Sequence, residues 1–381
     1  MTDWVDHVRR WVPPQIRYGI QRFVSFSEVK RKWRVRRNPY ALVTGSDVNT
    51  AGSPVRLGIL ANRGQYHTHY VRACEEMGLP FRVLDLGGSE WLTQIRESGC
   101  GLFLAWPDAT QSPWAKMYKD RCDVIEDLVG MPVVPTSAER WFYEDKLRTR
   151  DWLDAMDVSH PRTWVFTDRG EADAFVDSAA LPLVFKTSFG AASAGVRIVR
   201  DRRTLRRVAR KAFRSGHVPA GHDYRDREWG RLFLQEYLPE VREWRMVRIG
   251  DAYFGHPKGR RGDFHSGSGN VEWDVPDARL LDLLHRVTEL GSFRSMAVDV
   301  FETPDGRLLV NELQTVFGAS TSVDQMRVGG QPGRMIRLED GSWQFEPGDF
   351  ARNACANARI EDVLARYSVR AQDAHQEGAA W

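Results

Sequence analysis

Short apolar segments alternate with helical patterns in the first third of the chain, and this alternation limits the fold more than any other feature. The predicted strands are Val55–Ala61, Phe81–Leu86, Gly101–Ala105 and Pro132–Pro135. A helical pattern runs from about Thr68 to Met77. Apolar strands separated by helices favour a parallel sheet that is covered on both faces. No GxGxxG sequence follows the first strand, so a dinucleotide-binding domain is not supported.

Length and charge limit the class of protein further. The chain has 381 residues, which is too long for one compact core, so we expect two or three domains. Its net charge of +3 gives no support for a nucleic-acid partner. The four cysteines show no CxxC spacing, which favours a reducing compartment. No apolar run approaches the ~20 residues of a membrane span and no signal peptide is visible, so we expect a cytoplasmic protein.

Residues 1–52 form a basic extension that differs from the rest of the chain. Arginines and lysines are interleaved there with aromatic residues, and Trp4, Val8 and Trp11 recur at helical spacing. In one interpretation the aromatic side chains pack against the body and the basic side chains are solvated. In the other, residues 1–38 contact the inner face of an anionic membrane or an acidic carrier. Vesicle binding by a chain that lacks residues 1–38 distinguishes the two.

A predicted β-hairpin over Ala297–Gln314 carries the acidic side chains with the clearest chemical meaning. Apolar residues alternate on both sides of the turn at Pro304–Gly306, which favours two antiparallel strands. In that arrangement Asp299 and Glu312 lie opposite each other, and Gln314 lies on the same face as Glu312. Oxygen ligands of this kind suit Mg²⁺. The alternative is a hairpin with acidic residues on an exposed face.

Two lysines and a loop of small residues supply the features of a phosphate-binding site. Lys146 lies near the start of a predicted helix, and Lys186 ends a predicted strand. In the loop 189–196, small residues let backbone amides approach a ligand closely. The loop residues concerned are Gly190, Ser193 and Gly195. Val196 stands where a P-loop requires lysine, and a strand follows, so a Walker A motif is excluded. An ordinary turn beside a lysine is the alternative.

From about Pro135 to Gly318, the order of these parts resembles the ATP-grasp enzymes. In that family two lysines contact the ATP phosphates, a glycine-rich lid covers them, and an interdomain strand binds adenine. The resemblance implies that ATP is bound by Lys146, Lys186, Gly190, Ser193, Gly195, Glu236, Leu238 and, at the ribose, Glu243. It also implies a magnesium triad of Asp299, Glu312 and Gln314, with glutamine in place of the family's asparagine. The expected cofactors are ATP and two Mg²⁺ ions, with Mn²⁺ as a substitute.

The resemblance also implies ATP-dependent formation of an amide or peptide bond. It is to the carboxylate–amine ligases of the family, such as the RimK-like enzymes, glutathione synthetase and D-Ala-D-Ala ligase. In these, a carboxylate attacks the γ-phosphate, and an amine then displaces phosphate from the acyl phosphate. The residues expected at the reacting groups are Arg245, Lys258 and Arg260. The expected partners are a small carboxylate and a small amine, without nucleic acid, and a homodimer is compatible with this reading. A small-molecule kinase and a non-catalytic nucleotide-binding adaptor are the alternatives.

The predicted fold class combines α/β and α+β architecture. An N-terminal parallel α/β domain, of the type that precedes the ATP-grasp, is followed by an ATP-grasp fold of two subdomains. The predicted divisions are a basic extension over 1–52, the α/β domain over 53–136, a central subdomain with the lysines and the lid over 137–236, a C-terminal subdomain with the metal and substrate site over 237–330, and a partly helical tail over 331–381.

Overall fold

The computed structural model contains three β-sheets, each packed against helices. The residues that it describes are 16, 19, 26–109, 111–190, 193–220, 222–259, 274–316 and 326–376. This mixed architecture confirms the predicted fold class. None of the described helices is both long enough and apolar enough to cross a membrane.

The first sheet confirms the predicted parallel arrangement. Its strands are β1 (Gly45–Ser46), β2 (Leu57–Ala61), β3 (Phe81–Asp85), β4 (Leu102–Ala105) and β5 (Val133–Val134). They stand in the order β1-β3-β2-β4-β5, and all but β1 are parallel. The helices of this part are α1 (Phe26–Arg37), α2 (Thr68–Met77), α3 (Trp91–Glu97) and α4 (Ser112–Asp123), with a π-helical turn over Val124–Leu128. The central strands β2 and β4 are almost wholly buried, as expected for a sheet covered on both faces.

The described part of the N-terminal extension lies against the first domain. Arg34 Nη1 of α1 donates a hydrogen bond to the carbonyl of Gly64 at 3.3 Å. After α1, Asn38 Nδ2 donates to Thr68 Oγ1 at 2.8 Å, and a 3-10 helix follows over Pro39–Leu42. The extension therefore has a packed end near residue 38. Trp4, Val8 and Trp11 lie outside the described residues, so contact with a membrane or a carrier stays a prediction.

The second sheet is antiparallel and carries Lys186. After the short helix α5 (Ser137–Arg140), the elements are α6 (Lys146–Ala155), β6 (Thr163–Phe166), α7 (Arg169–Ser178), β7 (Leu183–Lys186), β8 (Val196–Val199), α8 (Arg202–Arg214) and β9 (Leu232–Glu236). The strand order is β6-β9-β7-β8. Leu183 and Phe185 of β7 pack in one core with α7 and α8. Because side chains alternate along a strand, Lys186 faces away from these helices.

The third sheet carries the predicted metal hairpin. Its elements are β10 (Arg242–Ile249), β11 (Ala252–Lys258), α9 (Ala278–Leu290), β12 (Ser295–Glu302), β13 (Leu308–Gln314), β14 (Arg327–Val328), β15 (Gln331–Arg337) and β16 (Trp343–Pro347). The order is β13-β12-β10-β11-β15-β14, and β16 pairs with β15. Trp244 and Met246 of β10 share a core with the leucines of α9. The alternate residues Glu243 and Arg245 consequently point to the other face of the sheet.

The C-terminal part contains more than the partly helical tail that the sequence predicted. β15 and β16 extend the third sheet, and the element α10 (Arg352–Gln376) follows them. Ala356, Ile360 and Val363 of α10 pack in the core of the first domain. Ala351 and Cys355 lie in a cluster with residues of the third sheet. The start of α10 thus joins the first and last parts of the chain.

Candidate functional site

The hairpin of β12 and β13 brings the predicted metal acids together. Asp299 lies directly opposite Glu312. Gln314 lies on the same face as Glu312, and its Nε2 donates a hydrogen bond to Glu312 Oε1 at 3.5 Å. Val298 is buried on the α9 side, so the next residue, Asp299, is directed to the opposite face. The predicted juxtaposition of the two carboxylates is confirmed, and their role as metal ligands stays a prediction.

A β-bulge interrupts the pairing next to Asp299 and adds a residue to β13. The added residue, Asn311, faces the same cleft as Glu312. Its Oδ1 accepts a hydrogen bond from Lys186 Nζ at 3.0 Å. Sequence reasoning missed Asn311, because strict alternation would place it on the face opposite to Glu312.

Lys146, at the start of α6, and Lys186, at the end of β7 in the second sheet, both approach the hairpin. Asp145 caps α6 by accepting hydrogen bonds from two backbone N–H groups, which fixes Lys146 as the first helical residue. Lys146 Nζ donates to the carbonyl of Gly190 at 2.8 Å and lies 3.8 Å from Glu312 Oε1. The two predicted lysines and the acidic hairpin therefore meet in one cleft, between the second and third sheets.

Lys186 is a buried cation whose charge is poorly solvated. Burial lowers its pKa from 10.5 to about 8, Lys146 acts in the same direction, and Glu312 opposes the shift. An anionic phosphate near the ammonium group would favour the charged form. The site therefore holds a cation that a phosphate ligand would stabilise.

This shift predicts that ATP binding weakens as the pH rises. The folded pKa of Lys186 lies below its unfolded value of 10.5, so the charged lysine costs stability below pH ~8 and this cost fades as the pH rises towards 10.5. If only the ammonium form binds phosphate, the dissociation constant for ATP rises about eightfold between about pH 7.5 and about pH 9. Calorimetric titration measures this. Lys186→Arg, which stays charged, should flatten the profile, and an equally steep profile in that variant would contradict the assignment.

A buried ion cluster lies beside the hairpin. Lys258 Nζ donates to Glu243 Oε1 at 2.6 Å and also to Asp299 Oδ2. Arg245 donates from Nε and Nη2 to the two oxygens of Asp299, at 3.1 and 3.3 Å. Burial alone would raise the pKa of Asp299, but Arg245 and Lys258 hold that pKa below its ordinary value. Asp299 is therefore kept ionised.

The glycines and basic residues over 256–270 predict a loop that includes Lys258, but Lys258 is the last residue of the strand β11. β11 continues through Pro257, which stands opposite Trp244 of β10. β11 pairs with β15 at Tyr253, so near Pro257 only the β10 side of the strand is paired within the described residues. An unpaired strand side tolerates a proline. Arg260, the third residue predicted at the reacting groups, lies outside the described residues.

The lid loop between β7 and β8 needs its two glycines for different reasons. Gly190 has a φ of +109°, a conformation that residues with a side chain rarely adopt. At Gly195 a Cβ atom would lie 1.7 Å from Thr187 Oγ1, so only glycine fits there. Ser193 is also left-handed, with a φ of +59°. The described ends of the loop thus form a tight turn, and contact with phosphates stays a prediction.

The predicted nucleoside-binding residues are already engaged within the protein. Glu236 ends β9, and its Oε1 accepts a hydrogen bond from the backbone N–H of Arg162 at 2.8 Å. Leu238 follows two residues later, where the strand has ended. Glu243 is paired with Lys258. An adenine contact at Glu236 would therefore use its backbone, and a ribose contact at Glu243 would share the carboxylate with Lys258.

Glu144 is a residue of this cleft that sequence reasoning did not identify. Its backbone N–H donates to Gln314 Oε1 at 3.3 Å. Burial raises its pKa to about 7; Lys146 opposes this shift, Glu312 adds to it and Arg245 opposes it. The only sequence signal was an acidic residue directly before the pair that caps and begins α6. An acidic residue at this position is usually interpreted as part of the helix N-terminus.

The donor set fits a magnesium ion that arrives with a nucleotide. Mg²⁺ prefers carboxylate oxygens and commonly uses one or two carboxylates together with substrate phosphates. Glu312 offers one carboxylate, and Asp299 offers another that Arg245 and Lys258 already bind. Among the described residues, no group of three or more acidic, histidine or cysteine side chains is arranged to hold a metal ion. Gln314 presents its Nε2 to Glu312 and its Oε1 to the Glu144 backbone, so it holds Glu312 in place.

Part of the chain is similar in sequence to known proteins. No protein-family model matches the chain. The N5-carboxyaminoimidazole ribonucleotide synthases of Mycobacterium bovis and Mycobacterium tuberculosis are each 29% identical to it over 214 residues. The match covers 52% of this chain and 49% of each relative, so the chain spans about half the length of the curated relatives it matches.

Two solved structures share the fold. N5-carboxyaminoimidazole synthetase from Staphylococcus aureus aligns with a TM-score of 0.50 and 12% identity, over 77% of this chain and 84% of that one. The biotin carboxylase domain of the Hydrogenobacter thermophilus 2-oxoglutarate carboxylase, solved as a dimer with MgADP, ADP and bicarbonate, aligns with a TM-score of 0.53 and 16% identity, over 70% and 65% of the two chains. With its lysines, loop and acidic hairpin in the order that the sequence indicated, the chain has the ATP-grasp fold of these structures.

Proposed function

We propose that this protein is an ATP-dependent ligase that joins a carboxylate to an amine. The observation that carries the proposal is the meeting of Lys146 and Lys186 with Glu312 and Asn311 across the cleft. The lysines at the start of α6 and at the end of β7 face the acidic hairpin, an arrangement that suits the binding of a metal–nucleotide complex. The name of the curated relatives, a carboxyamino-ribonucleotide synthase, describes a product with a carboxyl group on an amine nitrogen. This agrees with formation of a carbon–nitrogen bond.

In the first step, a carboxylate oxygen of the substrate attacks the γ-phosphorus of ATP. The bond from that phosphorus to the β–γ bridging oxygen breaks, and ADP leaves with its electron pair. Lys146 and Lys186 bind the phosphate oxygens and hold them in line with the attacking oxygen, and catalysis of such a transfer is mostly positioning and charge stabilisation. Asp299 and Glu312 would hold a magnesium ion, which would neutralise further phosphate charge.

In the second step, the amine nitrogen attacks the carbonyl carbon of the acyl phosphate. The tetrahedral intermediate collapses with loss of inorganic phosphate, and the nitrogen gives up a proton. Arg245 is placed next to Asp299 on the cleft face of β10, where a guanidinium suits phosphate or carboxylate oxygens. Lys258 and, by the resemblance, Arg260 are proposed to act on the same oxygens.

A substrate screen tests this proposal. Amino acids and sugar acids are combined with amines in the presence of ATP and Mg²⁺, phosphate release is measured, and mass spectrometry identifies any product. A ligase releases phosphate fully only when the acid and the amine are both present, and its product contains both. A phosphorylated acid or alcohol that accumulates regardless of any amine would instead show a kinase.

A further inference from the structure

Glu144 occupies a backbone position that a glutamate does not prefer. Its φ is +51°, in the left-handed region that non-glycine residues seldom adopt. The position is held by the hydrogen bond from the Glu144 N–H to Gln314 Oε1, and by the cap of α6 that begins at the next residue. Strained residues of this kind cluster at ligand-binding sites. The strained backbone at Glu144 is therefore typical of a residue whose side chain binds a ligand.

One carboxylate oxygen of Glu144 is buried without a partner. Within the described part of the chain, Oε2 accepts no hydrogen bond. Burial of an unpaired carboxylate oxygen is expensive, and most buried polar atoms in folded proteins have a partner. The other carboxylates of the cleft differ in this respect, because Asp299 is bound by Arg245 and Lys258, and Glu243 by Lys258. Unlike Asp299 and Glu243, Glu144 thus lacks a donor for one buried oxygen among the described residues.

Glu144 lies near residues of the phosphate-binding cleft and near residues of the first domain. On one side, the charges of Lys146, Glu312 and Arg245 act on its carboxylate. On the other side, the preceding residue, Tyr143, interacts with Trp106, Tyr66 and Asp108. Trp106 and Asp108 directly follow β4, at the carboxyl edge of the parallel sheet, where open α/β sheets bind ligands. Glu144 therefore lies between the phosphate-binding cations and the ligand edge of the first domain.

A metal ion is a poor candidate for the missing partner. Within the described ranges, no three acidic, histidine or cysteine side chains converge as metal ligands do, so Glu144 does not complete a site with Asp299 and Glu312. An organic ammonium group is a better candidate, since it needs only one close carboxylate and donates up to three N–H bonds. The neighbouring Glu312 carboxylate would also attract an ammonium group.

We infer that Glu144 binds the ammonium group of the amine substrate and holds it beside the phosphate-binding cations. This inference rests on the proposed ligase function and adds the residue that receives the second substrate. It assigns the amine to the seam between the first domain and the metal hairpin. A substrate that is cationic before it reacts fits a carboxylate whose Oε2 accepts no hydrogen bond from the residues that the structure describes.

A binding experiment tests the inference without turnover. Ethanolamine, a small ammonium compound, and ethylene glycol, its neutral counterpart, are titrated into the full-length protein with Mg²⁺ and a non-hydrolysable ATP analogue, and binding is followed by ligand-observed NMR. The wild type should bind ethanolamine more tightly than ethylene glycol. Glu144→Gln should weaken ethanolamine binding by about tenfold or more, because a charge-assisted hydrogen bond is lost. Glu171→Gln, which changes an exposed acid on α7, should leave binding unchanged.

Thermal unfolding supplies a second readout. Glu144→Gln removes a buried charge with an unpaired oxygen, so the ligand-free variant should melt at a temperature at least as high as that of the wild type. A lower melting temperature, or equal ethanolamine binding by Glu144→Gln and the wild type, would overturn the inference. If the substrate screen yields an amide product and Glu144→Gln leaves the KM for the amine unchanged, the ligase proposal stands and the inference fails. If the screen yields no amide but ethanolamine binding depends on Glu144, the site stands and the ligase proposal fails.

Discussion

Replacing Lys186 by alanine is expected to lower ATP turnover by about 10²–10³-fold, because it removes a preorganised cation from the transferred phosphate. The fold should remain intact, since burial works against the charge of this lysine and the variant loses only one hydrogen bond to Asn311. Turnover is measured as phosphate release with the substrates that the screen identifies, and folding by circular dichroism. Lys211→Ala, which changes an exposed lysine of α8, is the matched control and should retain wild-type turnover.

Substitution of the acidic residues in the cleft tests the predicted metal site. Asp299→Asn combined with Glu312→Gln should abolish magnesium-dependent turnover, because the amides keep the shape but lose the charge that attracts the metal. Glu312→Gln alone is the cleaner variant, since Asp299 also holds Arg245 and Lys258. Asp305→Asn, at the exposed tip of the same hairpin, serves as a control. Wild-type turnover in Lys186→Ala or in the double variant would remove the site assignment.

Removal of the Lys258 ammonium group is expected to destabilise the protein by about 3–5 kcal/mol, because it leaves buried carboxylates without their partner. Lys258 bridges Glu243 and Asp299, and all three side chains are buried. In Lys258→Met, Arg245 still pairs with Asp299, but both acids lose the lysine that they share. The free energy of unfolding is measured by urea titration. The loss should shrink at low pH, where the carboxyl groups become protonated and no longer need a cation.

A surface lysine gives the matched control for this loss. Lys116 pairs with Asp120 on α4, but both side chains are more than half exposed, at 76% and 53%. Lys116→Met should therefore change the free energy of unfolding by less than about 1 kcal/mol. Equal losses in Lys116→Met and Lys258→Met would show that the ion cluster contributes no more to stability than an ordinary surface pair. Mg²⁺ should raise the melting temperature of Lys258→Met more than that of the wild type, because a metal ion then supplies the missing positive charge.

Much of the site could be predicted because local patterns fix it. The turn at Pro304–Gly306 and the alternation around it indicate the antiparallel hairpin that carries Asp299 on one strand and Glu312 on the other. Helix α2 begins and ends at the predicted residues, because its apolar face and the glycine that follows it are clear in the sequence. These features depend on neighbours in sequence, which a pattern can show.

Other features depend on pairing that no local pattern shows. Asn311 reaches the cleft only because of a bulge, and Lys258 belongs to a strand that runs through a proline. β15 and β16 were missed because their residues alternate weakly between apolar and polar, as is common in strands near a sheet edge. Helix α9 was not predicted, although the sequence shows both of its signals: Asp277 at the N-cap and leucines that recur at helical spacing.

The bulge in β13 also lies between the predicted metal ligands and the tip of the hairpin. Beyond it, three ordinary cross-strand pairs, from Val300–Val310 to Glu302–Leu308, lead to the exposed tip at Asp305. These pairs hold the register of the acids whatever the length of the tip. Extra residues inserted at the tip, by natural variation or as an engineered label, would therefore leave Asp299, Asn311 and Glu312 in place, which makes this tip a suitable position for a reporter of nucleotide binding.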